Sequence, residues 1–326
     1  MNNLFNKFNA LTVLIIGDVM MDTYLWGKVE RISPEAPVPI VSVHKKENRL
    51  GGAANVALNI QALGAKPIIC SVIGDDTEGT EFLNLLKKQT LSQEGIIIES
   101  NRPTTVKTRI IGHNQQIVRV DSETDKQIIN ESFNSLMETI RKIISEQHID
   151  AIIFEDYDKG VISEELIWEI VTLANQKNII TVVDPKKRNF LYYQNVTLFK
   201  PNLKELKDGL KQDIDPRNPH EIESAVAILQ AKLNAKVLMV TLSELGVFIS
   251  SENEQKLIPA HIRDIADVSG AGDTVIATTA LCLAAGLDVF KTAALANLAG
   301  GLVCEQVGVV PISFELLLKE AESSII

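Results

Sequence analysis

The chain has 326 residues, 45% of them hydrophobic and 23% charged, room for one large α/β domain or two of average size, either with an ample core. Its net charge of −10 and pI near 5.1 exclude a binder of the nucleic-acid backbone, which needs a net basic face. Three cysteines without metal-ligand spacing imply no disulfide framework, MNNLFNKFNA lacks a signal-peptide core, and no run of about 18 apolar residues could span a membrane, so the cytoplasm is the default location.

In chain order, LTVLIIGD (11–18) reads as a buried strand that stops at a polar pair. Residues 23–50, TYLWGKVERISPEAPVPIVSVHKK onward, alternate β-type residues around three prolines and do not read as a helix. GAANVALNIQALG (52–64) is helical and PIICSVIG (67–74) is a strand. Residues 95–120, with GIIIES, TVKTRIIGH and QQIVRVD, return to a period of two. Helical periodicity over 131–146 precedes the strand AIIFED (151–156) and the helix SEELIWEIVTLAN (163–175). The strands IITVVD (179–184), VTLFK (196–200) and VLMVTLS (237–243) follow, and the apolar run after Asp273 is a further helix.

This alternation predicts a mostly parallel central sheet with helices on both faces. Several strands end in Asp, Asn or Ser at their C-terminal edge, where open α/β sheets bind ligands. The stretches 23–50 and 95–120 are expected to form short antiparallel strands of a small β-sheet lid over that edge, excluding water during transfer. With no linker or repeat, residues 1–326 read as one domain with a lid.

DVSGAGD (267–273), leading into TVIATTALCLAAG, is the strongest local signal. Gly270, Ala271 and Gly272 lack bulk, so backbone N–H groups at a helix start can approach an anion. Asp273 stands where a carboxylate takes a proton from a hydroxyl attacking a phosphoryl group. The alternative is a simple turn with Asp267 or Ser269 as N-cap.

GDVMMDTYLWG, RISPEAPVPIV, GGAANVALNIQALGA, TVKTRIIGHNQQIVRVD, DPKKRNF, KPNLKE and DVSGAGDTVIA, in this order, resemble the ribokinase (PfkB) family of sugar kinases, and within it the D-glycero-β-D-manno-heptose 7-phosphate kinases. The likeness runs from about residue 11 to about residue 311. It implies a ribokinase-like fold with a β lid, ATP and Mg²⁺ as requirements, room for a monovalent cation such as K⁺, and a homodimer formed through the lid. For the heptose branch it implies phosphorylation at C1, giving the 1,7-bisphosphate on the way to nucleotide-activated heptose for surface polysaccharide.

Carried over residue by residue, Asp22, Gly51, Gly52 and Asn55 match positions that bind sugar hydroxyls. Asp18 ranks below Asp22, since it equally suits a strand-end cap. Asn202 and Glu205 match the N–x–x–E motif of magnesium and phosphate placement, although the same pair fits a helix N-terminal capping box. Thr241, Ser243, Glu244 and Gly246 resemble the nucleotide-side segment, and Asn297 the helix beside the adenine, where small residues equally serve packing. Lys107 and Arg109 share a face at a period of two and, with Arg119, are candidates for holding the 7-phosphate; the alternative is a solvated lid face. Gln115 and Gln116 are candidate hydroxyl contacts, and Lys186 a candidate phosphate or nucleotide ligand.

Two positions depart from the heptose kinases, which read DVTGAGD and DYGKG where this chain has Ser269 and Asp158. No H–x–G–H pair of a nucleotidyltransferase is present, which suits a stand-alone kinase. The competing readings are a ribokinase-type kinase for an unphosphorylated sugar or a fructose phosphate, and an inactive sugar sensor, which would be free to lose Asp273. A P-loop kinase and an NAD enzyme lack their glycine motifs here.

Overall fold

The computed structural model describes residues 2–112, 115–251, 254–261 and 263–324; Asn114 of the NQQ motif lies outside them. A short helix, α1 (Asn2–Phe8), leads into β1 (Thr12–Gly17), the long hairpin β2 (Val19–Ile32) and β3 (Pro39–Gly52), and α2 (Ala53–Ala62). Then come β4 (Lys66–Gly74), α3 (Thr77–Lys88), β5 (Ile96–Glu99), a second hairpin of β6 (Val106–Gly112) and β7 (Gln115–Ser122), and α4 (Asn130–Glu146). The middle of the chain gives β8 (Ala151–Glu155), α5 (Glu164–Lys177), β9 (Ile180–Asp184), β10 (Leu198–Phe199), α6 (Leu203–Leu210) and α7 (Pro219–Leu233). The last part gives β11 (Val237–Thr241), β12 (Val247–Ser251), β13 (Glu254–Ile258), α8 (Ala271–Ala284), α9 (Val289–Val303) and α10 (Phe314–Ser324).

Among the described residues, nine strands form the central sheet in the order β13-β12-β11-β10-β9-β8-β1-β4-β5. Pairing is parallel from β11 to β5, and β12 and β13 add an antiparallel edge. Alternation along β1 shows why the sheet is covered twice. Val13 and Ile15 join Val56 of α2, Ile276 of α8 and Leu298 of α9 in one core, whereas Leu14 and Ile16 join Leu136 of α4, Ile170 of α5 and Leu229 of α7 in the other. Few residues of α8 or α9 are polar on any side, and both helices are correspondingly buried.

The second sheet has the order β3-β2-β6-β7 and differs from the sequence expectation in three ways. Strands β2 and β3 are long, with 14 residues each, and the β2–β6 pairing is parallel. GIIIES does not belong to this sheet: β5 pairs with β4 at the edge of the central one. Ile96 packs against one core and Ile97 against the other, and a strand apolar on both faces finds cover only in the central layer. The C-terminal ends of β1, β8, β9, β10 and β11 then deliver Asp18, Glu155, Asp184, Lys200 and Thr241 to one edge of the molecule.

Candidate active site

Helix α8 begins at this edge. Its N-cap, Gly270, has φ 81°, a left-handed conformation that glycine adopts without penalty, and no side chain caps the helix. Asp267 and Ser269 are therefore not the caps; Asp267 instead accepts from the N–H groups of Ser269 (3.0 Å) and Gly308 (2.9 Å), holding the approach to the helix. The Ala271 N–H turns back to the Val268 carbonyl at 3.3 Å, and the positive end of the helix dipole lies beside the strand ends.

Asp273 sits in that first turn and is buried. Asn55 of α2 donates to its Oδ2 at 2.7 Å, and the Tyr157 hydroxyl donates to its Oδ1 at 2.9 Å. Burial pushes its pKa up to about 6; the two hydrogen bonds restrain that rise, Asp184 adds to it and Lys200 opposes it. Asn55 Oδ1 is buried without a hydrogen-bond partner among the described residues, an open acceptor beside the carboxylate.

Around Asp273 lies a ring of alternating charge. Lys200 pairs with Asp184 at 2.8 Å, and Lys186 pairs with Glu205 and lies 4.0 Å from Asp184. Burial alone would lower both lysines, but Asp184 and Glu205 outweigh it and hold them above the usual lysine value. Glu155 is held well above its ordinary value by burial first and then by Asp184 and Asp273, and its Oε2 is unpartnered. A Cβ on Gly272 would meet Asp184 at 3.6 Å and Lys200 at 3.9 Å, so the glycine leaves the space between helix and ring open.

Asn202 and Glu205 form the capping box that the sequence allowed: the Glu205 N–H donates to Asn202 Oδ1 and the Asn202 N–H to Glu205 Oε2, each at 2.8 Å. Glu205 Oε1 accepts from Lys186. Both carboxylate oxygens are thus engaged, and among the described residues no group of three His, Cys, Asp or Glu side chains is arranged to hold a metal. The oxygen donors at this corner suit Mg²⁺, which keeps several waters and takes few protein ligands, so the fit is to a hydrated ion reached through Glu205 and Asn202.

At the β2–β3 hairpin, a Cβ on Gly51 would run into Asp22 Oδ2, so glycine lets the hairpin pass close over Asp22. Asp18 anchors a loop, accepting from the N–H groups of Tyr157, Lys159 and Val161 at 2.8, 3.0 and 3.1 Å. It is the cap that the sequence allowed. Lys107, Arg109 and Arg119 do share one face of the small sheet, but each meets a carboxylate: Lys107 pairs with Asp121 and Glu123, Arg109 with Asp22, and Arg119 with Asp121. Gln115 and Gln116 lie exposed at the far end of the β6–β7 hairpin, opposite Gly112 and Ile111, which are five and four strand positions from Lys107. They are not brought to Asp22.

At the end of β11, Thr241 lies beside Asn202, and Ser243 and Glu244 stand exposed in a single 3₁₀ turn closed by Gly246. Asn297 of α9 donates to the Pro259 carbonyl at 2.9 Å, fixing the segment after β13.

A sequence profile of the pfkB family carbohydrate kinases matches residues 10–314. The chain belongs to this family. It is 40% identical to the bifunctional protein HldE of Helicobacter pylori (strain J99) over 317 residues, 96% of this chain and 68% of that protein. It is 38% identical to HldE of Sulfurimonas denitrificans over 313 residues, 96% of this chain and 64% of that one. Among solved structures it is similar to phosphofructokinase-2 of Escherichia coli in complex with substrates and products (18% identity, TM-score 0.80, 97% of this chain and 100% of that one). It is also similar to Arabidopsis thaliana ribokinase complexed with ribose and ATP (17%, 0.73, 95% and 99%). At these identities the structures carry the fold, which is ribokinase-like. Another structure of the E. coli enzyme is in complex with potassium. The protein is thus a sugar kinase. No helix among the described residues is long and apolar enough to cross a membrane.

Within this pfkB fold, Asp158 occupies the left-handed region at φ 56°, which explains the glycine of DYGKG as the unstrained residue there. Ser269 contributes its N–H to the Asp267 turn. Four residues of the site had no role assigned from sequence: Glu155, Tyr157, Asp184 and Lys200. Their signal was the strand-end position itself, since each lies at or just past the end of β8, β9 or β10. Arg49 carries no such signal in the sequence. It pairs with Glu47, and its guanidinium lies 4.9 Å from the Tyr24 ring centroid, with Arg109 5.4 Å from the same centroid. Register places it opposite Asp22.

Proposed function

We propose that this kinase transfers the γ-phosphoryl group of ATP to the C1 hydroxyl of D-glycero-β-D-manno-heptose 7-phosphate, producing the 1,7-bisphosphate for nucleotide-activated heptose. The observation that carries the reading is the buried Asp273 carboxylate at the side-chain-free start of α8, with a pKa near 6 and an unpartnered Asn55 acceptor beside it. A carboxylate of that pKa is ionised at neutral pH yet basic enough to take a proton in the transition state. The 40% identity to HldE supports the heptose phosphate as the sugar.

In this mechanism the sugar lies between the small sheet, acting as a lid, and the strand ends. Asp22, the Gly51–Gly52 backbone and Asn55 meet its hydroxyls, with Asn55 Oδ1 accepting from one of them. Asp273 removes the C1 proton as the oxygen attacks, and the N–H groups of Gly270 and Gly272, joined by that of Ala271 as it exchanges the Val268 carbonyl for phosphate oxygen, stabilise charge on the transferring phosphoryl. Lys186 and Lys200 offer cations to the nucleotide phosphates; Thr241, Ser243, Glu244, Gly246 and Asn297 border the nucleoside. Asn202 and Glu205 would hold Mg²⁺ through water, where it neutralises phosphate charge.

Lys107, Arg109 and Arg119 bind the 7-phosphate by exchanging their carboxylate partners for the phosphate oxygens. A monovalent cation belongs to the same reading through the potassium complex of the E. coli neighbour. A second copy of the chain covers the outer face of the lid, where Val118 and Val120 stand 45% and 54% exposed.

The test is Asp273→Asn, which keeps size and helix start but removes the base. It should lower kcat by about 10² to 10⁴ with ATP binding nearly intact. Retention of more than about half of kcat, in a folded protein, would contradict the base assignment.

A further inference from the structure

We propose that the Tyr157 hydroxyl is a positioning group for Asp273, holding the carboxylate in the orientation and ionisation state in which it can accept the sugar proton. The proposal rests on Asp273 being the base and adds how that base is held. Tyr157 donates to Oδ1 at 2.9 Å while Asn55 donates to Oδ2 at 2.7 Å, so donors from two separate elements fix both ends of the carboxylate. Two such bonds leave one rotational setting of the side chain, which an isolated carboxylate at a helix start would not have.

The segment that carries Tyr157 is clamped on three sides. Asp18 at the end of β1 accepts from the N–H groups of Tyr157, Lys159 and Val161. Arg102 donates to the carbonyls of Lys126 and Lys159 from below the loop. Asp156, the neighbouring residue, is held by Asn189 at 2.9 Å and the Tyr193 hydroxyl at 2.8 Å. A loop bound this firmly presents the phenol to Asp273 at one place. Lys186 covers the ring face, 5.4 Å from its centroid. Burial first, and then the charges of Asp273, Glu155 and Asp184, push the phenol well above its ordinary pKa, so it remains a proton donor at any pH at which the enzyme works.

Removing that hydroxyl has a signature that packing does not. The charged groups facing Asp273 are Glu155 at the end of β8, Asp184 at the end of β9 and Lys200 after β10, with Lys186 beyond β9 acting on Glu155 and covering Tyr157. All of these survive Tyr157→Phe, as does the ring beneath Lys186. A donor to a carboxylate stabilises its ionised form, so its loss makes Asp273 hold its proton more tightly.

The experiment measures kcat of the full-length Tyr157→Phe enzyme between pH 5 and 9, with saturating ATP and heptose 7-phosphate, beside wild type and Asp273→Asn. The acid limb should move up by about one pH unit. That shift corresponds to a loss of about tenfold below the limb, with recovery towards the wild-type rate at high pH and an unchanged KM for ATP. Circular dichroism establishes that the variant is folded. A uniform loss at every pH, or no loss, with Asp273→Asn inactive, would overturn the positioning role alone. An active Asp273→Asn would overturn the base assignment and this proposal with it.

Discussion

At the scale of single residues, Asp273 sets activity and stability against each other. Its folded pKa of about 6 lies above its ordinary value of 3.8, so the native state binds its proton more tightly than the unfolded chain does. Between those two values stability therefore falls as pH rises, and above pH 6 the folded protein bears the full cost of a buried charge. Asp273→Asn removes that cost. Asparagine can accept from Asn55 and donate to the Tyr157 oxygen, so the variant should be more stable than wild type at pH 7 to 8 by roughly 1 to 3 kcal/mol. The gap should close as pH falls toward 4. Urea denaturation across this range checks it; a wild type more stable than the variant at pH 8 would show that the carboxylate is better solvated than its burial suggests. Asp158 makes the opposite case. It stands at φ 56°, and Asp158→Gly should raise the thermal midpoint, by an amount corresponding to at most about 1 kcal/mol. A lowered midpoint would mean that its bond to the Arg188 N–H outweighs the backbone strain.

At the scale of elements, the proposed function divides the work between α8, which meets the phosphoryl group, and the small sheet, which meets the sugar. Gly272 faces Asp184 and Lys200 across ordinary contact distances, so Gly272→Ala should be tolerated while Gly272→Leu fills the space that the proposed function gives to phosphate. Gly272→Leu should raise KM for ATP and lower kcat together; an unchanged KM would place the phosphates elsewhere. On the small sheet, changing Lys107 and Arg109 to Ala removes two cations that share one face. If they hold the 7-phosphate, KM for the phosphorylated sugar should rise far more than KM for ATP, each lost charge-assisted bond costing about 1.5 to 3 kcal/mol. Equal effects on both substrates would indicate collapse of the sheet, and no effect would make the cluster a solvated face paired with Asp22, Asp121 and Glu123. The period-two signal in the sequence identified the shared face but could not show these pairings, because the carboxylates of the neighbouring strands β2 and β7 meet it only through register.

At the scale of the whole molecule, the parallel order was legible because β1, β4, β8, β9 and β11 are short apolar runs ending in polar residues. Elements with weaker contrast were not. Helix α9 is too uniformly apolar to show a face, and β5 looked like lid because four residues cannot declare which sheet they join. The uncapped start of α8 and its buried Asp273 were visible as GAGD, since glycine and aspartate at a helix start constrain chemistry directly. Tyr157, Asp184 and Lys200 were not, because they gain meaning only when three separate strands end side by side. The central claim concerns the sugar, and coupled ADP release over heptose 7-phosphate, fructose 6-phosphate, ribose and fructose tests it most directly. The heptose phosphate should be the best substrate, with kcat/KM about a hundredfold or more above the unphosphorylated sugars, the worth of two charge-assisted bonds to phosphate. Equal or better turnover of ribose, fructose or fructose 6-phosphate would contradict the heptose assignment and leave the fold standing.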